Sequence, residues 1–424
     1  MHTPRVSAYS AKFVGIALLL VAQGQAQQQI SDFERERAQQ MLQTIAKDVR
    51  HHYYDPTFHG LDWDAKVAEA KEKIAKTTSM NMAMSHIAAL LDTLDDSHTF
   101  FLPPGPTTRS DYGWQDEMIG ERCFVTRVRP KSDAEEKGVK PGDEILTING
   151  FTPTRDNLWK MQFVFSALRP QRGLRLGLQD SAGSQRKVDV MAKVHQGDIF
   201  YLLRELQLAR ERMRARSEEF GQQLIVLKVP IFGLSTVTEV DDMFGKIRKH
   251  PALIVDLRGN LGGATETLRD LMGRMFDKDV KIADRAGRKE TRPEVAKGGH
   301  HEFSGKLVVL VDAESASAAE LFARVIQIEK RGIVVGDHSS GRVMESKHYI
   351  EGTYGASITE WDLIMTDGKS LEHTGVTPDE IVLPSAEDLA AGRDPAMARA
   401  AELLGVKVSP EEAGKLFPYE WPPE

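Results

Sequence analysis

Three stretches of the chain hold residue types that could do chemistry together. The first, residues 256–263, reads Asp-Leu-Arg-Gly-Asn-Leu-Gly-Gly between an apolar strand pattern and a helix pattern, and its glycines would let backbone N–H groups approach a ligand closely. The second contains Ser317, where an apolar run ends and an amphipathic helix pattern begins. A hydroxyl at that place meets free N–H groups and the positive end of the helix dipole, which together can stabilise an oxyanion. Ser317 is therefore a candidate nucleophile.

Each of these stretches also has a simpler interpretation. Ser317 and Glu320 satisfy the S-x-x-E pattern, so the serine could be only a helix cap. The glycines of 256–263 could merely turn the chain, and their spacing is not that of a dinucleotide-binding loop. The third stretch, 336–343, resembles a phosphate-binding loop until its end, where Arg342 and Val343 replace the required lysine and hydroxyl. The sequence therefore excludes nucleotide binding by these loops.

The elements that must position these residues follow from hydrophobic periodicity. Residues 31–95 are predicted to be helical throughout, as three successive helical patterns within 38–49, 63–74 and 80–94, with a capping box at Ser31 and Glu34. Residues 110–197 are predicted to form short strands around a tight turn at Asn149-Gly150. From residue 198 the pattern becomes α/β, while the charged stretch 204–219 is predicted to be a solvated helix or an insertion. The predicted strands of this half are 224–229, 252–257, 307–311 and 333–335, and its predicted helices are 264–276 and 317–329.

Charge, cysteine content and the N-terminus restrict the class of protein. A net charge of −7 without a basic run excludes a nucleic-acid-binding surface. Basic residues precede an apolar stretch at 13–22 and small residues follow it, which predicts a signal peptide over residues 1–26 and a periplasmic or secreted bacterial protein. A retained membrane anchor is the alternative, and no later segment is apolar enough to span a membrane. Cys123 is the single cysteine and the histidine pairs lack H-E-x-x-H spacing, so we expect no internal disulfide, no metal and no other cofactor.

A resemblance to a known family appears first in the β-rich stretch. Residues 132–150, from Ser132 through Gly138-Val-Lys-Pro-Gly-Asp143 to Asn149-Gly150, resemble the core of a PDZ domain. Such a domain binds an extended chain or a C-terminus along a sheet edge. The alternative is an unrelated β-hairpin.

Nearly the whole mature chain resembles the C-terminal processing (tail-specific) serine peptidase family. The resemblance rests on the helical lead, the PDZ-like stretch, Asp256–Gly263, Ser315-Ala-Ser-Ala-Ala-Glu320 and Asp367–Asp379. It implies a mixed α/β peptidase core of the crotonase-like type, with Ser317 as nucleophile and an oxyanion hole made by the N–H groups of Gly263 and Ala318. With the signal peptide (1–26) predicted above, we expect an N-terminal helical region (27–106), a PDZ-like domain (107–197), a peptidase core (198–395) and a C-terminal helix and tail (396–424).

Arg342 departs from the pattern of this family. In its best-known branch a lysine at this place deprotonates the serine, and arginine cannot do so because its guanidinium keeps its proton. If a strand runs from 342, Lys347 points to the opposite face and His348 lies too far along it. Neither side chain can replace the missing lysine. Arg342 could instead bind substrate or have a structural role.

A different base is available in Asp95-Asp-Ser-His-Thr-Phe100. This motif resembles one in the tricorn protease core, a lysine-less relative. By that resemblance His98 is the general base, Ser97 assists it, and Glu372 orients the imidazole. The chemistry is coherent, since a serine hydroxyl needs a base within hydrogen-bond reach and a carboxylate can fix the tautomer of that base. In the alternative interpretation His98 has a packing role and Glu372 is a surface residue beside a turn, and His373 is a weaker candidate.

The sequence therefore predicts an exported, metal-free serine endopeptidase. It would pass unfolded or C-terminal segments of polypeptides across the PDZ-like domain to Ser317. The alternative is a peptide-binding protein that keeps the fold but lost turnover with the Arg342 substitution, and a third, weaker hypothesis is a small-ligand carrier on the same fold. The oligomeric state, the physiological substrate and the effect of the PDZ-like domain on the site stay open.

Overall fold

The computed structural model describes residues 30–105, 108–196, 209–299 and 302–421. The predicted signal peptide and the pair His300-His301 lie outside these residues. Within the described ranges, no helix combines the length and the apolar character needed to cross a bilayer.

The N-terminal region is helical and ends in a short strand. Its elements are α1 (Asp32–His52), a 3₁₀ turn (Phe58–Gly60), α2 (Trp63–Ala75), α3 (Met80–Asp92) and β1 (Phe100–Leu102). The predicted capping box is confirmed, because the Ser31 hydroxyl accepts the Glu34 N–H and the Glu34 carboxylate accepts the Ser31 N–H. The apolar stripes of the three helices pack into one core. The three successive helices are as predicted, and Pro56 lies in the break between α1 and α2, where it disfavours helical backbone in the residue before it.

Residues 108–196 form the β-rich unit. Its strands are β2 (Thr108–Asp111), β3 (Trp114–Ile119), β4 (Arg122–Val128), β5 (Glu144–Ile148), β6 (Gly173–Gln179), β7 (Gln185–Met191) and β8 (Lys193–Gln196). Its helices are α4 (Asp133–Glu136) and α5 (Leu158–Phe163), and α5 continues as a π-helical turn, Val164–Leu168. The main sheet has the order β3-β4-β5-β6-β7, so β3 lies at its edge. Asn149 (φ 52°) and Gly150 (φ 86°) both have positive φ, as a type I′ turn requires, so the tight turn lies where it was predicted.

The remaining chain is α/β, and the mixed α/β fold class is confirmed. Its elements are β9 (Arg216–Phe220), β10 (Leu224–Lys228), α6 (Leu234–Ile247), β11 (Ala252–Asp256), α7 (Thr265–Gly273), β12 (Val280–Gly287), β13 (Thr291–Ala296), β14 (Lys306–Val311), α8 (Ala318–Ile328), β15 (Ile333–Gly336), β16 (Met344–Glu351), β17 (Tyr354–Met365), β18 (Glu380–Ile381), α9 (Ala386–Ala391), α10 (Pro395–Leu403) and α11 (Pro410–Ala413). One sheet has the order β18-β15-β14-β11-β10-β9 and is parallel except for β9. A second, antiparallel sheet has the order β1-β17-β12-β13, with β16 also paired to β17.

The stretch 204–219 was predicted to be a solvated helix or an insertion, and the helix alternative is wrong for the part that forms β9. This strand pairs antiparallel with β10 and forms the edge of the parallel sheet. The residues of β10 from Leu224 to Leu227 are completely buried, so the sheet needs a further strand beside them. Charged side chains are tolerated on an edge strand because they remain at the surface and discourage pairing with other chains. The charged residues therefore correctly indicated that this stretch lies at the surface, but they did not indicate that its last part is a strand.

Candidate active site

Ser317 lies between β14 and α8 in a strained backbone conformation. Its φ is 55° and its ψ is −117°, a region that non-glycine residues rarely adopt. Such a turn between a strand and a helix presents a side chain at the end of a sheet, as in the nucleophile elbow of α/β-hydrolases. The side chain is partly exposed, while Ala316 and Ala318 on either side are buried. The predicted candidate nucleophile is thus accessible.

The glycines of 256–263 lie directly beside Ser317. Strands β11 and β14 are parallel neighbours, so their carboxyl ends meet at one edge of the sheet. A Cβ atom on Gly262 would lie 2.6 Å from Ser317 Cβ, and one on Gly263, whose φ is 139°, would lie 2.4 Å from the carbonyl oxygen of Phe232. Both positions therefore require glycine. Among the described residues, the N–H groups of Gly263 and Ala318 donate no hydrogen bond, so both remain available to a ligand.

Glu320 holds the serine turn against the loop that follows β15. The carboxylate is completely buried. It accepts hydrogen bonds from Ser339 Oγ (2.6 Å), Gly341 N–H (2.7 Å), Ser317 N–H (3.0 Å) and Arg342 N–H (3.0 Å). Burial raises the pKa of Glu320 to about 7, against these four hydrogen bonds, which lower it. The sequence indicated Glu320 only as a capping residue, and no local signal predicted its contacts with the later loop.

The structure brings Ser97, His98 and Glu372 together. The Ser97 hydroxyl donates to Glu372 Oε2 (2.9 Å) and lies 2.7 Å from His98 Nδ1. The Ser97 N–H donates to Glu372 Oε1 (2.7 Å). Glu372 therefore reaches the imidazole through Ser97 and not directly. Because the hydroxyl hydrogen is used on the carboxylate, the oxygen can accept from Nδ1–H, which leaves Nε2 of His98 as a proton acceptor.

The surroundings of His98 favour its neutral form. Asp96 Oδ1 accepts the N–H groups of His98 (2.9 Å) and Thr99 (2.7 Å) and so fixes the turn. Burial is the main cause that lowers the pKa of His98, to about 4; the Asp96 carboxylate raises it and the Arg342 guanidinium lowers it. Glu372 is buried rather than at the surface. His373 is exposed, and its Nε2 lies 2.9 Å from the carbonyl oxygen of Asp95.

One loop joins the serine turn to the histidine group. The Ser317 N–H donates to the carbonyl oxygen of Arg342 (2.9 Å), and the next N–H along the chain, that of Val343, donates to Glu372 Oε2 (2.7 Å). In the described residues no hydrogen bond joins the Ser317 hydroxyl to His98. Catalytic hydrogen bonds often form only when substrate is bound. Both candidate groups are therefore anchored to the same two residues, Arg342 and Val343, although they come from distant parts of the chain.

The Arg342 side chain points toward the β-rich unit. Its Nε donates to Ser340 Oγ (2.6 Å), and its guanidinium carbon lies 5.8 Å from the centre of the Trp159 ring, on α5. Burial lowers the pKa of this guanidinium, while nearby glutamates, Glu320 first, raise it. Lys347, considered above as a substitute base, is exposed on β16 together with His348.

Comparison with known families assigns three parts of the chain. The model of peptidase family S41 matches residues 223–382, that of the PDZ domain matches residues 109–176, and that of the Tricorn protease C1 domain matches residues 34–79. The predicted resemblance to C-terminal processing peptidases with a PDZ domain is thereby confirmed.

Among curated proteins, a tail-specific protease of Haemophilus influenzae is 23% identical over 318 residues, which are 71% of this chain and 40% of that protein. A chloroplastic C-terminal processing peptidase of Tetradesmus obliquus is 25% identical over 360 residues, 77% of this chain and 73% of that protein. A carboxyl-terminal-processing protease of Synechocystis sp. is 25% identical over 362 residues, 81% of each chain. This chain therefore spans less than half of the first relative and most of the other two.

Solved structures share the fold. The photosystem II D1 C-terminal processing protease has a TM-score of 0.55 and 20% identity, covering 90% of this chain and all of its own. Mature CPAF has a TM-score of 0.65 and 14% identity, covering 85% of this chain and 95% of its own. The tricorn protease has a TM-score of 0.51 and 17% identity, covering 88% of this chain and 37% of its own. At these identities the likeness concerns the fold.

Proposed function

We propose that this chain is a serine endopeptidase with Ser317 as its nucleophile and His98 as its general base. The chain belongs to peptidase family S41 and carries a PDZ domain and a Tricorn protease C1 domain. The observation that carries this proposal is the strained Ser317 turn, which lies beside two N–H groups that donate no hydrogen bond within the described residues. Backbone strain of this kind persists where the surrounding structure enforces it, commonly at functional sites.

In the proposed mechanism His98 Nε2 takes the proton of the Ser317 hydroxyl as the oxygen attacks the peptide carbonyl carbon. The carbonyl oxygen becomes an oxyanion and accepts hydrogen bonds from the N–H groups of Gly263 and Ala318. The imidazolium then gives its proton to the leaving amine, and an acyl-enzyme remains on Ser317. Water, deprotonated by His98, hydrolyses this ester and restores the serine.

Ser97 and Glu372 are positioning residues in this mechanism. They hold His98 with its hydrogen on Nδ1, and the carboxylate stabilises the imidazolium through the intervening hydroxyl. Glu372 is itself fixed by the Val343 N–H, so the base cannot move independently of the loop that contacts Ser317.

We further propose that the substrates are unfolded or C-terminal segments of polypeptides. Strand β3 is at the edge of its sheet and pairs there with β4 alone among the described strands, so an extended peptide could add to its free edge. The relatives in the comparison are C-terminal processing and tail-specific proteases by name. Export to a bacterial periplasm or medium, with removal of residues 1–26, is part of the same proposal.

The test is degradation of fluorescently labelled, unfolded casein by the chain from Gln27 onward. We expect cleavage by the unsubstituted protein and none by Ser317→Ala or His98→Ala, with peptide binding measured by fluorescence anisotropy retained in both. His348→Ala is the matched control, because this histidine is exposed on β16, and it should cleave normally.

Two results would contradict the proposal in different ways. If the folded protein binds peptide and none of the variants nor the parent cleaves, the chain is a peptide-binding protein without turnover. Cleavage that disappears in Ser317→Ala and persists in His98→Ala would mean that another group is the base.

A further inference from the structure

Among the described residues, Arg342 is partly buried and has no carboxylate partner, unlike Arg155 and Arg258. Arg258 pairs with Asp256 and Asp394, and Arg155 pairs with Asp337 at 2.7 Å. Within the described residues no carboxylate oxygen lies within 4.0 Å of the Arg342 guanidinium, and its two Nη groups donate no hydrogen bond. A cation held away from water without a counter-ion is costly. Such a group is well suited to bind an anion that arrives with a ligand.

The main chain fixes Arg342 beside the candidate nucleophile. Its carbonyl oxygen accepts the Ser317 N–H and its own N–H donates to Glu320. The Nε–H is used on Ser340, and the guanidinium carbon lies 5.8 Å from the centre of the Trp159 ring on α5. The cation is thus located where the peptidase core faces the PDZ domain.

The neighbouring glutamates leave this cation free for a ligand. The Glu320 carboxylate is occupied by four donors and the Glu372 carboxylate by three. Burial, with the charge of Asp312, raises the pKa of Glu314 to about 7, so this carboxyl carries less charge at neutral pH than an ordinary glutamate does. An incoming carboxylate therefore meets little competition.

We propose that Arg342 binds the terminal carboxylate of the polypeptide being cleaved. The inference rests on the proposed peptidase function and narrows it. A guanidinium with two free Nη groups matches the two oxygens of a carboxylate in a bidentate pair. The terminal carboxylate always lies on the leaving-group side of the scissile bond. Because an extended chain advances about 3.3 Å per residue, a cation attached this close to Ser317 selects cleavage about 1 to 3 residues from the C-terminus.

The first arm of the test measures binding without turnover. In the Ser317→Ala protein, the affinity of one labelled unstructured peptide is compared as the free acid and as the C-terminal amide. We expect the acid to bind roughly 10- to 100-fold more tightly, and Arg342→Gln to reduce this ratio to near one. Arg342→Lys should keep part of the preference for the free acid, because a lysine retains the positive charge but cannot form the bidentate pair. Arg122→Gln on β4, whose side chain is 57% exposed, is the matched control and should keep the full ratio.

A carboxylate could also come from an aspartate or glutamate side chain, and the PDZ domain could itself bind a C-terminus. An amide peptide with an added glutamate addresses the first source: if it binds through Arg342 as well as the free acid does, the terminal assignment is overturned. An acid preference that persists unchanged in Arg342→Gln places the carboxylate site elsewhere and also overturns the inference.

The second arm measures cleavage. Mass spectrometry should find short C-terminal products from the free acid, and the acid-over-amide ratio of kcat/KM should fall toward one in Arg342→Gln. A loss of kcat/KM that is equal for acid and amide would instead indicate a role at the reacting carbonyl and would overturn the inference. If the parent protein cleaves nothing while its acid preference depends on Arg342, the proposed peptidase function fails and the carboxylate site stands.

Discussion

Removing the Glu320 carboxylate should destabilise the protein strongly, because this group is the only acceptor for several buried donors. It is completely buried and receives hydrogen bonds from Ser317 N–H, Ser339 Oγ, Gly341 N–H and Arg342 N–H. Three of these donors are main-chain groups that cannot turn away. A substitution at position 320 therefore tests the connection between the serine turn and the following loop.

The magnitude follows from the number of donors left without an acceptor. Each buried donor that loses its partner costs about 1–3 kcal/mol. Glu320→Ala orphans three donors, because the Ser317 N–H keeps its bond to the carbonyl oxygen of Arg342. We therefore expect a loss of at least about 3 kcal/mol after water has entered the vacated space. Glu320→Gln keeps one oxygen. If its NH₂ group replaces Oε1, the Ser339 hydroxyl can accept from it and only the Gly341 N–H is orphaned, for a loss of about 1–3 kcal/mol.

Urea denaturation followed by tryptophan fluorescence and circular dichroism measures both losses as shifts of the midpoint at constant slope. Glu329→Ala, at the exposed end of the same helix, is the control and should change the free energy of unfolding by less than about 0.5 kcal/mol. The reasoning is refuted if Glu320→Ala costs less than about 1 kcal/mol, or if alanine and glutamine cost the same, since the loss would then not depend on acceptor number.

Three further outcomes are expected. If His98 is the base, kcat/KM should stay constant from neutral pH to about pH 5 and fall at lower pH. The reason is that only neutral imidazole accepts a proton and the pKa of His98 is lowered to about 4. A midpoint of the pH profile near the ordinary histidine value of about 6.5 would contradict this. Gly263→Ala should reduce cleavage roughly 100-fold or more, because its Cβ would lie 2.4 Å from a main-chain oxygen, whereas Gly245→Ala in α6, with open space around it, should cleave normally. Arg155→Ala should raise hydrogen exchange in β3 and β4 relative to β10 and β11, because the buried pair of Arg155 with Asp337 joins the PDZ domain to the core. Equal exchange in the parent protein and the variant would mean that other contacts are enough to hold the PDZ domain against the core.

The neighbourhood of Ser317 could be predicted because local patterns determine it. Apolar runs at 252–257 and 307–311 predict buried strands, and parallel neighbours bring the residues that follow them to one edge of a sheet. The small residues after β14 and the glycines after β11 then meet there, as the Gly262–Ser317 distance confirms. Boundaries were also close: α8 begins at Ala318 and ends at Ile328, against the predicted 317–329.

The partners of the candidate base could not be derived from local patterns. Ser97 and Glu372 are separated by 275 residues, and the family resemblance alone associated them. Strand β16 (Met344–Glu351) alternates little between polar and apolar residues, so its pairing with β17 was not predicted. The same holds for β9, whose charges suggested a helix. Strands β9 and β16 each pair with the strand that follows them, and this pairing, which their own composition does not encode, determines their position.

An arginine in the loop after β15 is compatible with catalysis if His98 is the base. A lysine at position 342 could take the serine proton, whereas an arginine keeps its charge at every workable pH. When the base comes from the segment between α3 and β1, position 342 no longer has to transfer a proton. The permanent charge then has two consequences: it lowers the pKa of His98, which keeps the imidazole ready to accept a proton, and it remains available to a substrate carboxylate. The residue that seems to contradict a serine peptidase is therefore the one that would direct it to chain ends.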